Sequence, residues 1–497
     1  MGERLILSID VGSSSIRAGL FDNDGAPAEG LSSSCVHTLR LTPDGGSETD
    51  AEKLFELLVA CVDNALARRA GSGAEVRGRP VDAVAFSTFW HSLLGVSRDG
   101  RPETALTTWA DSRSAAQAER LASDLDEEGT RTRTGCVFNP SYFPARLLRY
   151  RETDPHLFQR ADWWCSFGEY CYERLFGKRL CSISMASGSG LFDQDRCAWD
   201  EPILRYLGVD ERTLSVLGDL DAPLTGLRAP FSGRWPELRS VPWFPAVGDG
   251  ACSNIGCGCA GPASVAVMVG TSGAVRAVVP SGSLPPLPRG LWRYRVDRRR
   301  LLTGGVLGNG GNVFEWMRST LSLPADLSAL DSVLLEREAG AHGLTVLPFF
   351  TGERSVGWKP RARAVVAGMS LDTSPLDILQ AGMEAVAYRF AAVQELLGSL
   401  LGPASRTVAT GGALMRSRAW TQIIADVLGR PLTLSRVQEA SSRGAALLAL
   451  EVLGLIRDVA DAPPLLGDLL TPREDRRAAH RAAAERQEKL SRLLNGF

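Results

Sequence analysis

The pattern of apolar and polar positions along the first ninety residues predicts an α/β fold. Four apolar runs of strand length accompany one segment with helical periodicity: the strands are residues 5–12, 15–21, 35–41 and 81–87, and the helix is residues 51–69. The Asp24-Gly25 turn after the second run predicts a tight hairpin. Strands that continue into a helix and a further buried strand are typical of the α/β class.

The opening of the chain is repeated near its midpoint. Residues 265–273 are again an apolar run followed by glycine and hydroxyl residues. The segment from Gly12 to Ala18 aligns with the segment from Gly270 to Ala277, with one extra residue. The repeat predicts two related halves. Coincidence is the alternative, because a strand followed by a turn of small residues is common.

The composition and net charge of the chain argue against several classes of protein. The chain has 497 residues, of which 44% are hydrophobic and 23% are charged, as in an ordinary globular protein of two to four domains. A formal net charge of −2 argues against a protein built mainly to bind nucleic acid or a charged membrane. The ten cysteines are scattered without a CxxC pair, and neither a signal peptide nor an apolar stretch of about 20 residues is visible. We expect a cytoplasmic protein.

Two common nucleotide motifs are absent or unsupported. The chain has no GxxxxGK[ST] sequence. One GxGxxG sequence runs from Gly256 to Gly261, but no strand precedes it directly and no acidic residue follows about 20 positions later. We therefore predict a helix of small residues that packs closely against its neighbour.

Three turns rich in glycine and hydroxyl residues remain, at residues 10–15, 270–273 and 411–412. Such turns leave backbone N–H groups free to face phosphate oxygens. Each turn alone is explained by a hairpin or a loop. Together they predict a nucleotide held in a cleft between the two halves, where Asp10 could hold Mg²⁺ through water.

Asp249 is the other candidate for chemistry. It lies between Gly248 and Gly250, after an apolar strand and before a helix. A carboxylate there is either a helix N-cap or, in a cleft, an acceptor for the proton of an attacking hydroxyl. The residues alone leave both interpretations open.

Six motifs, in order along nearly the whole chain, resemble those of the FGGY family of carbohydrate kinases, within the actin/hexokinase/Hsp70-like superfamily. They are the first phosphate motif at residues 10–17, the Trp-x-Asp-x-Arg element at 109–113, the catalytic-base motif at 248–256, the second phosphate motif at 270–272, the glycine-rich segment at 304–316 and the adenosine motif at 411–426.

This resemblance implies two actin-like (ribonuclease H-like) domains, residues 1–252 and 253–497, with an ATP and substrate cleft between them. It implies transfer of the γ-phosphoryl group of ATP to a hydroxyl of a sugar, polyol or sugar acid. The residues that it assigns are Asp249 as the base; Asp10 for Mg²⁺, through water; Gly12, Ser13, Ser14, Gly270, Thr271, Gly311, Gly411 and Gly412 for ATP; and Trp90, His91, Tyr142 and Asp249 for the substrate.

Within the family, several segments are similar to gluconokinases, which act on D-gluconate to give 6-phosphogluconate. Gly250 follows Asp249 where glycerol kinases carry Gln, and residues 291–294 also match. Arg276 or Arg113 could face the carboxylate of such a substrate. The alternatives are that Arg276 is an ordinary strand-end arginine and that Arg113 forms a structural ion pair with Asp111.

Other functions stay open at this point. A xylulokinase-like kinase for a ketose or pentitol uses the same chemistry, and an actin/Hsp70-like nucleotide-dependent binding protein is a different class. The expected partner is a small carbohydrate, with no nucleic acid or membrane and with a possible homodimer. One extra residue between Gly412 and Trp420 leaves the adenine contacts near Arg416 and Ser417 undefined.

Overall fold

The computed structural model describes residues 4–282 and 285–494. The first part of the chain contains these strands: β1 Leu5–Val11, β2 Ser15–Phe21, β3 Pro27–Val36, β4 Arg40–Leu41, β5 Ser47–Thr49, β6 Val81–Thr88, β7 Leu94–Val96, β8 Leu106–Thr107, β9 Trp163–Cys165, β10 Leu180–Ser182, β11 Phe192–Asp193, β12 Ala198–Trp199, β13 Val216–Gly218 and β14 Val247–Gly248. Its helices are α1 Ala51–Ala70, α2 Ala74–Gly78, α3 Ala115–Asp124, α4 Glu127–Thr134, α5 Phe143–Thr153, α6 Pro155–Arg160, α7 Phe167–Phe176, α8 Ile183–Ser187, α9 Glu201–Leu207, α10 Phe231–Arg234 and α11 Asp249–Gly256.

The second part continues both series. Its strands are β15 Ser264–Val269, β16 Gly273–Pro280, β17 Trp292–Arg295, β18 Arg300–Leu307, β19 Thr345–Leu347, β20 Val365–Ala367, β21 Arg406–Thr410, β22 Leu432–Ser435 and β23 Leu466–Leu470. Its helices are α12 Gly311–Thr320, α13 Leu327–Glu336, α14 Pro375–Leu401, α15 Gly412–Arg416, α16 Arg418–Leu428, α17 Ala440–Val452 and α18 Arg477–Leu494.

Each part has its own central sheet. Within the described residues, the first sheet has the strand order β14-β6-β1-β2-β3 and the second has the order β17-β18-β16-β15-β21-β22-β23. Strand β1 pairs antiparallel with β2 and parallel with β6, and β15 pairs antiparallel with β16 and parallel with β21. The same hairpin with a parallel third strand therefore occurs twice, as the repeated opening of the sequence predicts.

The prediction of a third strand near residues 35–41 is wrong in its bounds, because β3 begins at Pro27 and ends at Val36. The Asp22 carboxylate accepts the backbone N–H groups of Asp24 and Ala26, so that the turn is tight and the chain re-enters the sheet at once. Most of the β3 side chains are exposed or half-buried, so the strand lacks the apolar run by which a buried strand is found.

Helices α11 and α17 connect the two parts by a close crossing. A Cβ atom on Gly256 would overlap the carbonyl oxygen of Ala440, and one on Gly444 would overlap the carbonyl oxygen of Cys252. The glycine at the start of the GxGxxG sequence is thus required by helix packing, as predicted. Helix α17 also packs on β1 and β6 of the first sheet. The predicted domain boundary after residue 252 falls inside α11 and stays a prediction.

No helix in residues 4–282 or 285–494 is both long and apolar enough to cross a membrane. The ten cysteines are free thiols, and eight of them are buried. These thiols pack as small apolar side chains.

Candidate active site

Two carboxylates meet at one edge of the first sheet. Strands β1, β6 and β14 run parallel, so their carboxyl ends lie together. Asp10 is the penultimate residue of β1, and Asp249 directly follows β14 as the first residue of α11. Both line one cavity of about 590 Å³, which we call the second cavity.

Burial controls the charge of both carboxylates. It raises the pKa of Asp10 to about 7; the negative charge of Asp249 adds to this shift, whereas Ser87 and Arg17 oppose it. Burial also raises the pKa of Asp249, against the positive charge of Arg276 and the backbone N–H groups of Gly250 and Trp90. The Oδ1 atom of Asp10 is buried without a hydrogen-bond partner. A buried carboxylate oxygen beside a second carboxylate fits a water-coordinated Mg²⁺ ion.

Most of the glycines predicted for ATP come together on the second sheet. Gly270 and Thr271 form the turn between β15 and β16. The N–H of Gly311 donates to the carbonyl oxygen of Gly270. Gly411 lies so close to the end of β15 that a Cβ atom on it would overlap the carbonyl oxygen of Val269. A cavity of about 680 Å³, which we call the first cavity, is lined by residues that include Gly270, Thr271, Gly311 and Gly412. Gly411 and Gly412 also line the second cavity.

The turn of Gly12, Ser13 and Ser14 lies beside Asp10 but lines neither cavity. The N–H of Gly12 donates to the carbonyl oxygen of Ser15, and the N–H of His37 donates to that of Ser14. These three residues therefore follow β1, which carries Asp10, and belong to the lining of neither cavity.

Three of the four predicted substrate residues lie in one aromatic cluster, which consists of Trp90, His91, Tyr142, Trp292 and Tyr294. The ring centroids of His91 and Tyr142 are 5.0 Å apart, as are those of Trp90 and Tyr294. The hydroxyl oxygens of Tyr142 and Tyr294 are 2.6 Å apart. Trp292 and Tyr294 come from β17 in the second part of the chain, so that the cluster joins both parts.

Trp90 and His91 follow β6 and connect this cluster to Asp249. The Trp90 ring leaves no room for a Cβ on Gly248, and its indole N–H donates to the carbonyl oxygen of Ser184. Burial lowers the pKa of His91 well below its ordinary value, and its Nδ1–H donates to the carbonyl oxygen of Gly188 at 2.7 Å. A neutral imidazole with this tautomer keeps Nε2 as an acceptor for a substrate hydroxyl.

Two arginines are candidates to face the carboxylate of an acidic substrate, and one of them, Arg113, forms ion pairs with carboxylates of the protein. Its guanidinium donates to Asp111 at 2.5 and 3.0 Å and to Glu48 at 2.7 Å. The structure supports the structural interpretation of the Trp-x-Asp-x-Arg element. Arg276, in contrast, is buried beside Gly250 with its Nε unpartnered, and its charge acts on Asp249.

One further arginine of this region, Arg354, is indicated by no sequence motif. Arg354 has a buried Nε atom without a partner, and its Cζ lies 6.0 Å from the ring centroid of Trp109 and 5.9 Å from that of Trp358. Its positive charge contributes to the lowered pKa of His91. No local motif marks Arg354, because it reaches the cluster only through the folding of the second part onto the first.

Comparisons with known proteins agree with this geometry. Residues 5–256 match the N-terminal domain of the FGGY family of carbohydrate kinases, and residues 265–451 match its C-terminal domain. The chain belongs to the FGGY family of carbohydrate kinases. It is accordingly a two-domain kinase that transfers a phosphoryl group to an alcohol. The family uses ATP for this reaction.

Several FGGY kinases are similar over their full length. A gluconokinase of Bacillus subtilis is 27% identical, with 98% of this chain and 96% of that protein covered. A glycerol kinase of Citrifermentans bemidjiense is 26% identical with the same coverage. Solved structures of a xylulose kinase and a gluconate kinase from Lactobacillus acidophilus superpose with TM-scores of 0.90 and 0.89; each is 23% identical and covers 99% of this chain and 98% of its own.

Proposed function

We propose that this FGGY kinase is a gluconokinase, which transfers the γ-phosphoryl group of ATP to the terminal hydroxyl of D-gluconate and forms 6-phosphogluconate. Two of the relatives found by sequence, from Bacillus subtilis and Bacillus licheniformis, are named gluconokinases. The observation that carries the proposal is Arg354, whose guanidinium has a buried Nε atom without a partner and whose charge acts on His91 of the aromatic cluster. A neutral sugar offers no counter-charge to this half-buried cation, whereas a carboxylate does.

Asp249 is the proposed base at the phosphoryl-transfer end of the site. Its carboxylate takes the proton of the attacking hydroxyl, and the charge of Arg276 favours its ionised form. Asp10 would hold Mg²⁺ through water, and the bound ion would offset phosphate charge. The ATP-binding residues proposed on the basis of the family resemblance are Gly12, Ser13, Ser14, Gly270, Thr271, Gly311, Gly411 and Gly412.

The two arginines suit opposite ends of a linear acid. In gluconate, the terminal hydroxyl carbon and the carboxylate carbon are separated by five carbon–carbon bonds of about 1.5 Å each, so the carboxylate lies several ångströms from the base. Arg276 is beside Asp249, whereas Arg354 is near His91 and acts on it electrostatically. Arg354 is therefore the proposed partner of the carboxylate, and the neutral ring of His91 would accept a hydrogen bond from a hydroxyl between the two ends.

The test compares D-gluconate with D-gluconamide, its uncharged amide, and with D-xylulose and glycerol in an ADP-release assay. We expect the highest kcat/KM for gluconate and a preference for gluconate over gluconamide that Arg354→Gln removes. The control is Arg363→Gln, since Arg363 is an exposed arginine whose Nη1 donates only to carbonyl oxygens of its own loop, those of Arg361 and Ala362. Preferred turnover of xylulose would instead favour the ketose-kinase alternative and reject gluconate.

A further inference from the structure

Arg416 stands between the two cavities of the cleft. It ends helix α15, and it and Gly412 belong to the lining of both the first and the second cavity. Its Nη1 atom lies 3.0 Å from the position that a Cβ on Gly412 would take. The guanidinium is therefore folded back over the backbone of Gly412, next to the cavity wall that Gly270 and Thr271 form.

The other two arginines of the second cavity lie near carboxylates. Arg17 lies 3.7 Å from Asp10 and 3.0 Å from Glu439, and Arg276 acts on Asp249. Arg416 is exposed, and its guanidinium has neither a hydrogen bond nor an ion pair with any residue in 4–282 or 285–494. It is thus the cation of this cavity that is available to a ligand.

A nucleotide that spans both cavities requires such a cation. Its phosphates carry several negative charges and would approach the carboxylates of Asp10 and Asp249. Lysine occurs at only four positions of the chain, and none of the four lines either cavity. Arginine and backbone N–H groups must therefore supply the protein's share of the phosphate contacts, and a guanidinium can bind phosphate with two parallel hydrogen bonds.

We infer that Arg416 binds the terminal phosphates of the nucleotide as they pass from the first cavity to the second. This role of Arg416 rests on the proposed function, in which the nucleoside binds in the first cavity and the phosphoryl group is transferred at Asp249. It does not depend on which sugar accepts the phosphoryl group. Arg416 fixes the phosphate chain across Gly412, so that the γ-phosphate points towards the carboxylates. The guanidinium of Arg416 then neutralises part of the negative charge by which the phosphates and the two carboxylates repel each other.

The test measures the affinity of Arg416→Gln for a series of nucleotides by calorimetry: adenosine, AMP, ADP and a non-hydrolysable ATP analogue, with Mg²⁺ present for the last two. We expect unchanged affinity for adenosine and a loss of about 10- to 100-fold for ADP and the analogue, which is the usual effect of a charge-assisted hydrogen bond. Arg416→Lys keeps the charge without the planar fork and should restore part of the loss.

Arg418→Gln is the matched control, because Arg418 is two residues further on, exposed, and paired with Asp468 at 3.3 Å. It should bind all four ligands as the unchanged protein does. If Arg416→Gln lost affinity equally for adenosine and for the ATP analogue, Arg416 would be a nucleoside contact and the inference would be overturned. Unchanged affinity for the analogue would overturn it as well. If the unchanged protein bound none of the nucleotides, the proposed kinase function would fail as well.

Discussion

Gly250 and Arg276 have complementary shapes: a Cβ atom on residue 250 would overlap Nη1 of Arg276 and lie 2.8 Å from Cζ3 of Trp90. The residue after the proposed base therefore has to be glycine for the guanidinium and the indole ring to occupy their positions together. Glycine at position 250, where glycerol kinases carry Gln, therefore leaves room for the guanidinium whose positive charge opposes the raised pKa of Asp249.

The change Gly250→Ala should lower kcat/KM by about 10-fold or more, because displacement of a positioning group by about 1 Å costs up to 10²-fold. Arg276→Ala should also lower it, since the charge that favours ionised Asp249 is lost. Because both changes act on the same guanidinium, the double variant should lose less than the sum of the two single losses. A double-mutant cycle of kcat/KM measures this coupling, and strictly additive losses would contradict the shared position.

Asp249→Asn removes the proposed proton acceptor with little change in volume. We expect kcat to fall by about 10²- to 10⁴-fold, the usual contribution of general-base catalysis. Affinity for adenosine should be unchanged within error, because the nucleoside is assigned to the first cavity, which Asp249 does not line. Steady-state kinetics and calorimetry with adenosine test the two parts separately, and an unimpaired kcat would exclude Asp249 as the base.

The sequence predicts those parts of the site that local chemistry determines. Gly270 and Thr271 occupy a hairpin turn because glycine and hydroxyl residues follow an apolar strand, and Asp249 begins a helix after β14, as its flanking glycines indicate. Tyr294 and Arg354 could not be predicted, because they reach the aromatic cluster only when β17 and the loop after β19 fold onto the first part. The relation between Asp10 and Asp249 depends on the order β14-β6-β1, which no local pattern encodes.

The raised pKa of Asp10 predicts how stability without metal depends on pH. Its folded value of about 7 exceeds the ordinary value of 3.8, so the folded protein binds the proton more tightly than the unfolded chain. The resulting stabilisation is complete below about pH 4 and is lost as the pH rises to about 7, with an upper limit of about 4 kcal/mol. In EDTA, Asp10→Asn should therefore raise the melting temperature at pH 8 and change it little at pH 4. An equal shift at both pH values would show that the ionisation of Asp10 has no effect on stability.

The close crossing of α11 and α17 predicts an unusual cost for a glycine-to-alanine change in a helix. Alanine normally stabilises a helix by about 1 kcal/mol relative to glycine, and Gly398→Ala in α14 should show this gain, because nothing lies within 4 Å of its Cβ position. Gly256→Ala should instead lower the free energy of unfolding by about 1–3 kcal/mol, since the new Cβ meets the backbone of Ala440 and a backbone cannot rotate away as a side chain can. Denaturant unfolding of the two variants measures both effects in one protein.

A gain in stability for Gly256→Ala would mean that the two helices do not cross as closely in solution. A loss confined to Gly256→Ala would show that contact between two backbones, and not helix propensity, requires glycine where the two domains join.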